Sequence, residues 1–432
     1  MTNSTAHGAR KTYVVATILI VAMFAIWGLA HQLYAILLPT FSAALSLNDF
    51  QVSFVNSLNS FGYFLMAIPA ALLIRNFGYK LGVVGGLGCF AIAMFLFYPA
   101  AEWHEYGFLL GAGLLANAGL GLLEIAADPL IMRLGPAESA VRRLNLAQAF
   151  NPFGQVTGFF LGSWIMVAEL RNPIGQLAHA LVRPYFFIGF AVVCFVFLVD
   201  KVAFPPVAIE RVARQDRTVD DIARLLKSRM FVFAMAALFL YIVGQSFLWK
   251  YAILYIQAGL HGGSSASTAD ILLWSLFAFM IGRFVGTALM YRFEPVRLLA
   301  VYAGAAAILT AFAALLGGRF GVPCILGASF FLSILFPTIF GCAVRDLGPH
   351  IKSASALLIM ASGSANMLLP IMSLIRGPAA IQYVMLLIPC LCFCAIFVFA
   401  MVQRRATDRL SQQPLPEAGS AADTLVNASM HR

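Results

Sequence analysis

Charge is what this chain has least of. Asp, Glu, Lys and Arg make up only 11% of its 432 residues, against 61% hydrophobic, and the mean hydropathy is +0.88. Soluble domains carry about 25% charged residues, so an ordinary water-soluble fold is excluded and a polytopic membrane protein is expected. Acids are scarcer than bases, 18 against 28, giving a net charge of +10. That excess does not imply nucleic acid, because the bases sit in short connections between apolar runs. Metal-binding spacing is missing as well. The seven cysteines (89, 194, 324, 342, 390, 392 and 394) lie within apolar runs or at their edges. Their odd number and the absence of nearby His pairs predict free thiols. Cys390-x-Cys392-x-Cys394 reads as packing. There is no Ser/His/Asp set and no His followed by Asp at the fifth position, which speaks against a membrane-embedded enzyme such as an acyltransferase. Tyr13 to about Pro39 is too long for a signal-peptide core and has no small-residue cleavage site, so it reads as a span.

What is present is a series of apolar runs, each near the roughly 20 residues that cross a bilayer as helix. Twelve are expected: 13–40, 50–75, 80–99, 107–134, 144–168, 184–203, 230–258, 268–291, 297–317, 321–345, 353–375 and 379–403. Twenty-two lysines and arginines fall on one side of this topology and four on the other, with Lys250 and Arg283 inside spans. Basic residues mark the cytoplasmic side, so both termini and the long central connection are expected there. The connection, 204–229, divides the spans six and six. In it Val219, Ile222, Leu225 and Leu226 recur at helical spacing among charges, as in an amphipathic helix at a membrane surface. The tail, 406–432, is polar and rich in Ser, Ala and Pro, and is expected to be disordered.

The halves echo each other. Span 2 ends in Arg75 and Lys80 and span 8 in Arg292 and Arg297, five residues apart in each case. Span 4 ends Arg133-Leu-Gly135-Pro136 and span 10 ends Arg345-Asp-Leu-Gly348-Pro349. The expectation is an all-α membrane protein of twelve transmembrane helices in two six-helix pseudo-symmetric bundles, residues 1–203 and 230–405. This is the major facilitator arrangement, with a substrate site at mid-membrane between the halves. The basic pairs, Arg75 and Arg292 among them, either brace an inward gate or simply anchor the loops. Gly154, Gly158 and Gly162 in span 5, and Gly282 and Gly286 in span 8, line single helix faces and predict close helix packing.

Two acids break the apolar pattern of span 4, Glu124 and Asp128, one helical turn apart and therefore on one face. A carboxylate in hydrocarbon costs about 2.5–3.5 kcal/mol on insertion scales. The pair reads either as a structural salt bridge or as a group that binds and releases a proton. Other polar residues cluster in spans 1, 5 and 7: His31, Gln32 and Tyr34; Asn145, Gln148, Asn151 and Gln155; Gln245, Trp249, Lys250 and Tyr251. Each amide alone is more readily interhelical glue. Together, amides and an aromatic face suit a polyol, since amides both donate to and accept from hydroxyls and Trp covers a sugar's apolar face. Lys250 can snorkel to the interface, and Arg283 is expected in a buried ion pair.

Four segments carry a family resemblance: Gly119-Leu-Gly-Leu-Leu-Glu124 followed by Ala127-x-Pro129; Arg143-Leu-Asn145-Leu-Ala-Gln148-Ala-Phe-Asn151; Ile281-Gly-Arg283-Phe-Val-Gly-Thr287; and Phe336-Pro-Thr-Ile-Phe340. The chain resembles the fucose permease-like members of the fucose–galactose–glucose:proton symporters. The resemblance implies that Glu124 serves proton exchange and sugar recognition. It also implies that Gln148 and Asn151 contact the sugar, and that Gln245, Trp249 and Tyr251 match a span-7 set. Three departures stand out. Ala35 replaces the span-1 aspartate that takes the coupling proton in the family, Phe336 replaces a tyrosine, and Asp128 stands where Asn is usual. The expected function is therefore transport of a monosaccharide, proton-coupled and by alternating access, in a bacterial inner membrane. Such a carrier would be a monomer, with no cofactor beyond the coupling proton and no nucleic-acid partner. The alternative is a uniporter, or a carrier of another polar metabolite such as a hydroxycarboxylate siderophore.

Overall fold

The computed structural model describes residues 2–103, 105–169, 174–209, 218–259, 265–316, 318–368 and 378–412. All regular structure among them is helical. Six long helices form the first half: α1 (Thr2–Ala44), α2 (Asp49–Phe77), α3 (Tyr79–Glu102), α4 (Tyr106–Arg133), α5 (Ala140–Glu169) and α6 (Ile174–Lys201). A linker follows with two short helices, α7 (Pro206–Ile209) and α8 (Thr218–Lys227). The second half contains α9 (Arg229–Gly259), α10 (Ser265–Leu289), α11 (Pro295–Leu316), α12 (Gly318–Leu332), α13 (Leu335–Val344), α14 (Ile351–Ala365) and α15 (Pro378–Gln412). Among the described residues, nine helical stretches are long and apolar enough to cross a bilayer, and α2 and α14 add shorter apolar stretches, Phe61–Phe77 and Ile351–Ala365. The 30-residue α5 has the length but carries the amides.

Three details differ from expectation. The tenth span breaks into α12 and α13 at Ser333–Ile334. Pro337 explains the break: it has no N–H to give the Ser333 carbonyl, so the i→i−4 ladder stops there. Residues 406–412 continue α15 instead of starting a disordered tail, helped by the i,i+4 pair Arg404–Asp408 at 3.8 Å. Part of the apolar face of α8 lies on protein, while Leu226 is exposed. Leu225 is buried, Ile222 packs against the core, and Asp221 meets His350, 2.9 Å away at the start of α14.

Within the first half α1 lies against α5, and α4 against α2 and α3; in the second, α15 lies against α9 and α11, and α12 against α10 and α11. The α1–α5 approach needs glycine. A Cβ at Gly28 would collide with the Asn151 carbonyl, and one at Gly154 with the Ala25 carbonyl. Small residues let helix backbones touch in this way.

The halves meet along α2–α14 and α5–α10, with α13 and α14 also reaching α5 and α4. Several of these contacts lie toward the end that carries the linker. Lys352 Nζ donates to the Ile74 carbonyl (3.4 Å) and lies 5.1 Å from the centre of the Tyr79 ring. The Arg142 guanidinium sits over Tyr291 at 3.8 Å, and Val141 packs on Gly341. Toward the opposite end α5 and α10 stay in touch through Phe160 and Phe277, whose ring centres are 6.4 Å apart.

Candidate functional site

The site is built around α4. Nineteen of its residues are buried, among them Glu124 and Asp128. The end of α4 is fixed by Arg143 of α5, which donates to the Ile131 carbonyl (3.2 Å), the Pro136 carbonyl (2.7 Å), Ser139 Oγ (2.5 Å) and the Met132 carbonyl. These include carbonyls of the last helical turn, which have no partner within a helix. One side chain thus caps α4 and sets its register against α5.

That register brings Asp128 to Gln148. Asp128 is fully buried, and both of its carboxylate oxygens accept from Gln148 Nε2 at 2.9 Å. Glu124, one turn earlier, is 8% exposed and has no hydrogen bond among the described residues. The two carboxylates interact electrostatically with each other and with Tyr63 of α2. Tyr63 is a member of the site that sequence reasoning missed. It is wedged between Gly121 of α4 and Gly363 of α14, where added Cβ atoms would lie 3.2 Å and 2.5 Å from it. The only advance signal was a tyrosine in an apolar run flanked in space by two glycines far away in the chain.

Arg283 of α10 is 5% exposed. The direct ion pair expected for it is not what the described residues show. Its Nε donates to the Ser333 carbonyl at 2.5 Å and its Nη1 to the Gln148 carbonyl at 3.2 Å, and the guanidinium lies 4.6 Å from the centre of the Phe279 ring. Asp128 and Tyr241 act on it electrostatically without touching it. The choice of carbonyls has a covalent cause. Within a helix the Ser333 carbonyl would accept from residue 337 and the Gln148 carbonyl from residue 152, and both of those residues are proline. Each proline releases one buried acceptor, and a buried acceptor needs a partner. Arg283 supplies both, one in each half of the molecule. Hydrogen bonds to a charged donor contribute about 1.5–3 kcal/mol each, which offsets part of the cost of burying the cation.

The same cluster continues through rings. Phe279 meets Trp249 edge-on at 5.3 Å, and Trp249 Nε1 donates to Ser329 Oγ at 3.3 Å. Tyr241 lies one turn before the half-buried Gln245 and faces Phe336 at 6.0 Å. In α1, His31 is exposed. Half-buried Asn151 accepts from Gln155 Nε2 (2.9 Å) and donates to the Phe24 carbonyl (3.4 Å).

Other expected site residues are placed elsewhere. Asn145 is fully buried and donates to the Val141 carbonyl and to Thr338 Oγ1 across the interface between halves (3.3 Å), while its Oδ1 has no partner among the described residues. Tyr34 packs at a tilt on Phe97 of α3, which stacks on Tyr185 of α6. Gln32 is buried against Gly158 of α5. Arg292 is exposed and Arg75 half-buried at the end of α2. Lys80 caps α6 through the Asp200 and Val202 carbonyls, and Arg297 pairs with nearby Glu294 at 3.4 Å. Lys352 and Arg142 make contacts that cross between the halves. The side chains of Asn56, Asn59, Lys250, Tyr251 and Asn366 lie outside the described residues.

The Major Facilitator Superfamily profile matches residues 15–370. The chain belongs to the Major Facilitator Superfamily. Within the superfamily it is 34% identical over 412 residues to the L-fucose-proton symporter of Escherichia coli (strain K12), covering 91% of this chain and 94% of that protein. It is 28% identical over 412 residues to a glucose/galactose transporter of Brucella abortus (strain 2308), covering 93% of this chain and 98% of that one. Among solved structures it resembles the superfamily transporter FucP in the outward conformation, with a TM-score of 0.81, 34% identity, and coverage of 91% of this chain and 99% of that one. A proton:xylose symporter, XylE, at 13% identity and a TM-score of 0.72, shares the fold.

Proposed function

We propose that this protein is a monosaccharide carrier of the bacterial inner membrane, driven by protons and working by alternating access, with both termini in the cytoplasm. Residues 1–203 and 230–405 are the two rocking bodies and 204–229 the tether. The observation that carries the reading is Glu124: a buried acid in the middle of α4, beside Asp128, with no hydrogen bond among the described residues. A charge there is costly in hydrocarbon, and a proton removes the cost. Such a group favours one protonation state when the site is closed to water and the other when it is open, as coupling requires. The relatives named as sugar–proton symporters and glucose/galactose transporters support the substrate class.

In this reading Gln148 serves Asp128 and Asn145 bridges to Thr338, while His31, Asn151, Gln245 and Trp249 surround the sugar. The amides hydrogen-bond its hydroxyls and Trp249 covers an apolar face. A second reading rests on His31, exposed in α1, while position 35 is alanine: an imidazole N–H without the span-1 acid suits an anionic hydroxycarboxylate. A tryptophan-quenching titration of the purified protein with hexoses, deoxyhexoses, amino sugars and hydroxycarboxylates separates the two. Saturable quenching by a neutral sugar, lost in Trp249→Phe, is expected. Quenching by organic acids alone would replace the sugar reading with the second one.

A further inference from the structure

Between the two halves α10 and α5 touch through aromatic rings and, among the described residues, through one charged side chain. Arg283 belongs to the second half and is anchored there by the proline-released Ser333 carbonyl at 2.5 Å. Its hold on the first half is weaker: one bond of 3.2 Å to the Gln148 carbonyl, and the electrostatic pull of Asp128. Gln148 joins these two elements, since its backbone faces Arg283 and its side chain faces Asp128. The groups whose charge bears on Asp128 are Glu124 on α4 itself, Tyr63 on α2 and Arg283 on α10, while α5 presents the neutral Gln148. Among the described residues Asp128 therefore senses one cation, and that cation lies across the interface between the halves.

We propose that Asp128 and Arg283 form a proton-operated bolt for the linker-side closure. Ionised Asp128 holds Arg283 against α5 and the halves stay shut at that end. A proton taken up by one Asp128 oxygen removes the attraction. It also occupies one of the two oxygens to which Gln148 Nε2 donates, so the Gln148 contact is rearranged in the same step. Arg283 keeps its Ser333 anchor and withdraws with α10, and the linker-side end opens. Asp128 is a positioning residue here, acting through Arg283 and not by touching substrate. The bolt deepens the carrier reading, on which its role in transport rests, and gives this chain an acid at the interface although position 35 is alanine.

The test uses opening alone. Val141, buried against Gly341, sits in the linker-side closure. Val141→Cys is introduced into the full chain. A bulky hydrophilic maleimide is applied in detergent, in alkaline and in acidic buffer, and peptide mass spectrometry follows the introduced thiol. Rates are corrected for the maleimide's own pH dependence with an unfolded control. In the Val141→Cys protein, acid should raise the corrected rate by about tenfold, within the usual range of coupling between sites. Adding Asp128→Asn should give the fast rate at both pH values, and adding Glu124→Gln should leave the pH response in place. Arg283→Lys, which keeps the charge but not the two-carbonyl reach, should label faster in alkaline buffer and still respond to acid. A pH response that survives Asp128→Asn, or disappears with Glu124→Gln, overturns the bolt. If Asp128→Asn does not fold, an unchanged rate in Arg283→Lys overturns it. No sugar is present, so a carrier without proton-driven uptake can still show the bolt, and a proton-driven carrier can lack it.

Discussion

Arg283 shows how a cation is accommodated in a nearly charge-free interior: two prolines each free a carbonyl and one guanidinium takes both. Pro152→Ala and Pro337→Ala each return an N–H that competes for these acceptors. Either change alone should weaken the Arg283 contacts, and combining either with Arg283→Lys should cost less than the sum of the two. In a double-mutant cycle on unfolding free energy we expect an interaction of about 1 kcal/mol; strict additivity would show that the prolines and the arginine act independently. Asn145 gives a second residue-scale prediction. On the proposed reading Asn145 serves the contact with Thr338, so Asn145→Ala should change the rate of conformational exchange while leaving sugar affinity within about twofold, a difference of less than 0.5 kcal/mol.

At the scale of elements, α1 and α5 depend on backbone contact at Gly28 and Gly154. Gly154→Leu should lower the melting temperature in detergent sharply, because overpacking a tight contact costs about 1–3 kcal/mol or more; an unchanged melting temperature would contradict the contact. The linker helix α8 is tied to α14 by Asp221 and His350. Asp221→Asn should speed trypsin cleavage after Arg224 and Lys227 a few-fold, with little loss of global stability, since such partly exposed pairs contribute about 1 kcal/mol or less. The elements themselves were legible in the chain. Runs of apolar residues near bilayer length and the one-sided distribution of Lys and Arg are local signals, and they placed the helices and the linker. The split of the tenth span was not foreseen, though Pro337 was its visible cause. The glycine stripe of α5 was read correctly as packing.

Partners across the molecule were not legible, and for a physical reason. Gln148 is 20 residues from Asp128, while Asn145 is 193 residues from Thr338 and Arg283 is 135 from Gln148. Spacing along one helix shows which face a side chain takes, but not which helix lies opposite. Thus the spacing of the α5 amides gave no sign that Gln148 meets Asp128 or that Asn145 meets Thr338. At whole-molecule scale the account places a proton-binding acid at the junction of two rocking halves. The most direct test is uptake of radiolabelled L-fucose, D-galactose and D-glucose into proteoliposomes under an imposed proton gradient, comparing the unaltered protein with Glu124→Gln. The account predicts that one of these sugars accumulates above its external concentration only while the gradient lasts, and that Glu124→Gln abolishes accumulation yet still exchanges external for internal sugar. Equal proton-driven accumulation by both proteins would contradict it.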